Sequence, residues 1–211
     1  MSEPQITLHG TRLSGHTHRV LLMLSMLELP YKLADAPNDV RRTPEFLRLN
    51  PLGQVPVLQD GALVLADSNA ILVYLARRYA PGSHWLPEEP VAASQVQRWL
   101  SIAAGEVKHG PALARAIAVW RDEGDTVRAT AIAGRLFRFM EAHLAGRSWL
   151  ATEQPTIADI SCHPYVAHSP EGGISLEPYP AIRTWLSRVE GLPKFQPMPR
   201  SPIPPATRRA G

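Results

Sequence analysis

Cysteine is nearly absent from this 211-residue chain, with Cys162 standing alone. One thiol excludes an internal disulfide framework and any CxxC redox or zinc motif, so no metal centre is expected. No window approaches the roughly 18 consecutive apolar residues needed to span a bilayer, so no membrane contact is expected either. Charge of one sign is also scarce. The 22 basic and 19 acidic residues leave a formal +3, and the basic residues are dispersed, which speaks against a nucleic-acid partner. Met1 to Gln5 lacks a basic-then-apolar secretory pattern, so a cytoplasmic location is the expectation. What is present, 45% hydrophobic and 19% charged residues, suits a folded globular chain rather than a disordered one.

The first eighty residues alternate strand and helix signals. Gln5 to Leu8 reads as a strand, followed by a polar loop from Gly10 to Thr17. Residues 18–28 hold seven apolar side chains between Val20 and Leu27 and predict a helix covered on most sides. Pro30 stops it, and a second strand begins at Tyr31. Pro44 opens a short helix ending at Leu49, and strands follow at Val55–Leu58 and Ala62–Leu65 around the turn signal Asp60-Gly61. Asp67-Ser68-Asn69 then caps a helix running to about Tyr79.

Pro81, Pro87 and Pro90 mark a boundary. Beyond it only helical patterns occur, over about 91–120, 125–145, 157–168 and 180–190. The expected organisation is therefore an α/β domain at 1–80, a linker at 81–90 and an all-helical domain at 91–196. A tail at 197–211, with five prolines, is expected to be extended or disordered.

Three short elements can carry chemistry, and each has a plain structural reading beside a functional one. Ser14 precedes the apolar helix and can simply cap it. The same helix start, with its free N–H groups and positive dipole end, would also stabilise a thiolate that accepts a hydrogen bond from the Ser14 hydroxyl. Pro56 after Val55 is either an edge-strand proline or a cis peptide that frees the backbone of Val55 to pair with an extended peptide. Asp67 and Ser68 either cap a helix or receive an amino-acid end, with Ser68 on its carboxylate and Asp67 beside its ammonium group.

The segments Leu8 to His16, Thr43 to Leu58 and Leu65 to Leu75 together resemble the bacterial glutathione transferases with a serine-type N-terminal motif. The resemblance implies a thioredoxin-like N-terminal domain followed by a helical domain, a homodimer, and glutathione as cosubstrate. It implies that Ser14 faces the thiol, that Gln54 and Val55 hold the cysteinyl part, that Pro56 is cis, and that Asp67 and Ser68 bind the γ-glutamyl end. Arg41 or Arg42 would meet the glycine carboxylate.

His9 and His16 depart from the family pattern. His16 would donate to the thiolate or act as a base near pH 7, or else is a solvated loop histidine. Pro155 to Ile160 resembles the family's buried capping box, with Thr156 and Asp159 structural, and Trp99, Trp185 and Cys162 read as packing. Ser101, Gly105, Glu106, His109 and Arg115 could face a pocket between the domains, although Glu106, His109 and Arg115 equally suit a solvated face. The implied reaction, a detoxification, is transfer of glutathione to a small hydrophobic electrophile. The alternatives are a glutathione-dependent disulfide reductase or peroxidase, and a non-enzymatic glutathione-binding regulator.

Overall fold

The computed structural model describes residues 6–201. Strand β1 (Ile6–Gly10), helix α1 (Gly15–Met26), strand β2 (Tyr31–Asp35), helix α2 (Pro44–Leu49), strands β3 (Val57–Asp60) and β4 (Leu63–Ala66) and helix α3 (Ser68–Tyr79) make the first part. The sheet order is β2-β1-β3-β4, with β1 parallel to β2 and antiparallel to β3. This is the expected thioredoxin-like arrangement. Alternation along β1 sends Ile6 and Leu8 under α1 and α3, while the opposite face meets α2 through Phe46 and Val57.

Two boundaries differ from the sequence expectation. The polar loop ends at Ser14 rather than Thr17, because the Ser14 hydroxyl accepts from Thr17 N and draws His16, Thr17 and His18 into the first turns of α1. The hairpin turn is Gly61-Ala62, with Asp60 paired to Leu63 and Gly61 at φ 57°, a left-handed conformation glycine adopts freely.

Helix α4 (Pro90–Ile102) continues without a break into a π-helical stretch, Ala103–Ala112, and then α5 (Leu113–Trp120). Pro111 lies inside that stretch and has no N–H to offer a helix ladder. Helices α6 (Thr126–Leu144), α7 (Ile157–Ala167) and α8 (Pro180–Glu190) complete the helical part. Gly110 lets the π-helical stretch lie directly on α6, since a Cβ there would come within 2.9 Å of Ala133 N. No helix among the described residues is long and apolar enough to cross a membrane.

Helix α7 is buried on every side from Ile157 to Val166. Its N-terminus is satisfied by a capping box: Thr156 Oγ1 accepts from Ala158 N, and Asp159 Oδ2 accepts from Thr156 N at 2.9 Å. The other oxygen, Asp159 Oδ1, accepts from Leu150 N at 3.0 Å and Trp185 Nε1 at 2.8 Å, joining α7 to α8. Burial pushes the Asp159 carboxyl up, and these donors pull it back down. The described start of the tail has no regular secondary structure and is docked: Met198 is buried and Ser201 N donates to Glu171. The rest of the tail call lies outside the described residues.

Two predictions follow from this packing. Asp159→Ala strands several buried donors and should lower unfolding stability by about 3 to 5 kcal/mol in urea titration. His18, His163 and His168 form a buried group in which desolvation lowers all three, His18 to about 3, with Glu190 and Glu171 as the facing carboxylates. Histidines in the unfolded chain take up protons below about pH 6.5 while these stay neutral, so the stability present above that pH is lost as pH falls. Urea midpoints should therefore drop between pH 7.5 and pH 5, and His18→Gln should flatten that slope.

Candidate functional site

The sheet register assembles one edge. His9 pairs with Val57 and Val57 pairs with Ala66, so the end of β1, the start of β3 and the end of β4 lie side by side. The chain leaves that edge as the loop to Ser14, arrives at it through Val55-Pro56, and leaves it again at Asp67. Ser14, Val55, Pro56, Asp67 and Ser68 are thus neighbours, although 54 positions separate Ser14 from Ser68.

At the start of α1, the His16 N–H donates to Tyr165 Oη at 3.3 Å and Thr17 N to the Ser14 hydroxyl at 3.3 Å. Tyr165 comes from α7 and lies flat on the helix end. A Cβ on Gly15 would meet its ring at 2.7 Å, so only glycine permits this approach. Burial pushes the Tyr165 hydroxyl up, so it is a neutral phenol with the Ser14 hydroxyl beside it. Tyr165 was not legible as a site neighbour in the sequence, because its helix is buried on every side and carries no directional signal.

Arg19 links the two helix starts. It is 1% exposed, and its Nη1 donates to His16 Nδ1 at 2.9 Å and to Ser68 Oγ at 3.0 Å. Burial, then the charges of Arg19 and Lys108, hold His16 well below its usual range, so the ring is neutral near pH 7. Arginine only donates, so His16 Nδ1 must accept and the ring proton sits on Nε2. A base near pH 7 is therefore the wrong role for His16, because cationic neighbours and burial disfavour its protonation. Its donor role is compatible with this tautomer. One sequence signal for Arg19 existed: it is a charge inside an otherwise apolar helix.

Asp67 caps α3, with Oδ1 accepting from Asn69 N and Ala70 N at 2.9 Å each. Its backbone has φ 75° and ψ 122°, a strained conformation for a residue with a side chain. The cap leaves Asp67 exposed at the rim, while Ser68 is buried beneath it. The Val55-Pro56 peptide is cis, as the resemblance implied. Gln54 is exposed, and its carbonyl accepts from Asn50 Nδ2 at 2.8 Å. Arg41 and Arg42 lie in the 3-10 turn Val40–Arg42, with the Arg41 carbonyl packed near Gly53.

His9 and Arg115 are placed by contacts that the sequence did not show. His9 points to the α2 face of the sheet, edge-on to Phe46 and 2.6 Å from Gln59 Oε1, away from the Ser14 side, because strand alternation opposes it to Leu8. Arg115 is not on a solvated face. It is wholly buried, pairs with Glu171 at 2.6 Å, and donates through Nη1 to Leu13 O at 2.9 Å, so a helical-domain cation anchors the loop before Ser14. Ser101, Glu106 and His109 are exposed, and Gly105 borders open space. Cys162 is buried, with its thiol pushed up to about 12 by desolvation, which makes it inert as a nucleophile. No group of three or more metal-ligating side chains occurs among the described residues.

The arrangement is a helix-start pair with donors aimed at one edge, which suits an anionic ligand group. Comparison with known proteins gives the same direction. Residues 13–78 match the family model for the glutathione S-transferase N-terminal domain, and residues 111–193 match that for the C-terminal domain. Glutathione S-transferase GstB of Escherichia coli K12 is 28% identical over 94% of this chain and 99% of its own. The E. coli K12 disulfide-bond oxidoreductase YfcG is 30% identical over 83% of this chain and 86% of its own. A crystal structure of a glutathione S-transferase from Pseudomonas fluorescens Pf-5 superposes with a TM-score of 0.86 at 31% identity, covering 92% of this chain and 98% of that one. With both domains matched in chain order by relatives of nearly equal length, the chain belongs to the glutathione S-transferase family.

Proposed function

We propose that this protein binds glutathione along the β1–β3–β4 edge and transfers it, as the thiolate, to a small hydrophobic electrophile. The observation that carries the reading is the convergence of the α1 and α3 starts, tied through Arg19, at the edge where Val55-Pro56 leaves backbone groups outside the strand ladder. In this reading the cysteinyl part pairs with Val55 beside Gln54 and Pro56, as an added strand would. Its γ-glutamyl carboxylate meets Ser68, and its ammonium group meets Asp67. Arg41 or Arg42 would meet the glycine carboxylate.

The thiol lies at the start of α1. Ser14 Oγ accepts from Thr17 N, so its own proton is free to donate to sulfur. A hydrogen bond to the charged form, the helix dipole and the cationic side chains of Arg19 and Lys108 all favour thiolate over thiol. His16 adds an Nε2–H donor and no base. Catalysis then comes from ionisation and from holding both reactants in one cleft between the domains. The polar helix positions Ser101, Glu106 and His109 line the side from which an electrophile would enter. We also take residues 81–90 as the linker, and a cytoplasmic homodimer as the working assembly.

A second reading has one observation in its favour, the 30% identity to a relative named a disulfide-bond oxidoreductase. On this fold it would use the same bound thiolate against a disulfide sulfur.

Two outcomes are expected, and one comparison separates the readings. Ser14→Ala should lower kcat/KM for conjugation by about 10- to 100-fold and raise the pKa of bound glutathione, read from thiolate ultraviolet absorbance. Unchanged turnover and an unchanged thiol pKa would remove Ser14 from the mechanism. Asp67→Asn, which keeps the cap, should raise the glutathione KM several-fold with little change in kcat. Assays with a chloroaryl electrophile and with a mixed disulfide, run on the same preparation, separate the two readings.

A further inference from the structure

Arg19 is a buried cation without a buried anion. Among the described residues no carboxylate lies within ion-pair distance of it, and its Nε and Nη2 have no hydrogen-bond partner. The aromatic ring of Tyr165, 5.6 Å away, gives partial compensation. The thiol of Cys162 and the phenol of Tyr165 are neutral, and the Asp67 carboxylate is at the exposed rim, committed to its cap. A charge kept so far from water is costly unless something meets it.

The hydrogen bonds show where it would be met. Nη1 carries two protons, and both are committed: one to His16 Nδ1 and one to Ser68 Oγ. Each acceptor is thereby turned into a donor on its far side. His16 keeps its proton on Nε2, and the Ser68 hydroxyl, with one lone pair taken by Arg19, has its proton free. The remaining contact between Ser68 Oγ and His16 Nδ1, at 3.5 Å, is too long to compete.

We propose that Arg19 is the positioning residue for a ligand carboxylate, polarising Ser68 and His16 as paired donors and supplying the counter-charge the fold leaves unpaired. Resting on the glutathione reading above, the inference assigns that carboxylate to the α-carboxylate of the γ-glutamyl end. Arg19 does not touch it. Its effect passes through the two side chains it holds.

The test compares glutathione with its analogue lacking only that carboxylate, γ-aminobutyryl-cysteinyl-glycine. Calorimetric titration of the wild-type protein should show glutathione binding about 10- to 100-fold more tightly than the analogue, the scale of a charged hydrogen bond. Arg19→Met should weaken glutathione to the level of the analogue and leave the analogue unchanged, while Arg19→Lys should restore part of the difference. Equal weakening of both ligands would make Arg19 merely structural and overturn the proposal. If Arg19→Met does not fold, imidazole nitrogen NMR of the wild-type protein decides: a protonated His16 Nε2 supports the proposal, and a protonated Nδ1 overturns it. Failure of the wild-type protein to bind either ligand sinks the glutathione reading itself, whereas equal wild-type affinity for both sinks only the role of Arg19.

Discussion

A helix buried on all sides must have its terminal N–H groups met from within the protein, and in this molecule that helix is α7. Thr156 and Asp159 share that burden, the hydroxyl accepting from Ala158 N and the carboxylate from Thr156 N, while the same carboxylate ties in Leu150 N and the Trp185 indole. With α7 so anchored, its far end delivers Tyr165 onto Gly15, and the α1 start is pressed into shape by a residue 150 positions further along the chain. Packing of the helical domain therefore reaches directly into the start of α1.

A second tie makes the same connection electrostatically. Arg115, neutralised by Glu171, reaches the Leu13 carbonyl, and Glu171 also gathers His168 and the backbone of Ser201. The loop holding Ser14 is thus fixed from both flanks, by a ring on one side and a guanidinium on the other. Two buried arginines behave differently here. Arg115 has its carboxylate inside the fold, and Arg19 does not, which is the contrast that sets Arg19 apart as a group waiting on a ligand.

Much of the fold was legible because its signals are local. Local chemistry marked helix starts at Pro44, Asp67 and Thr156, since caps and first-turn prolines act over two or three positions, whereas α1 begins three residues before its apolar run. The helical stretches of the second half followed from their periodicity, although the π-helical character of 103–112, where Gly110 lies against α6, did not. The site was legible in part. Ser14, Val55-Pro56 and Asp67-Ser68 could be read together from their order, while the contacts of His9 with Phe46 and Gln59 could not, because those partners come from α2 and β3.

By itself, then, the sequence determined the two-part architecture, the capping residues near one sheet edge, and a lone cysteine that no disulfide or CxxC motif can use. Only tertiary structure decided that Arg115 is a buried anchor, that Tyr165 covers the α1 start, and that one guanidinium sets the protons of both His16 and Ser68. The reason is physical. Caps, turns and periodicity arise among neighbours in sequence, whereas the state of a buried charge depends on partners that only folding brings within a few ångströms.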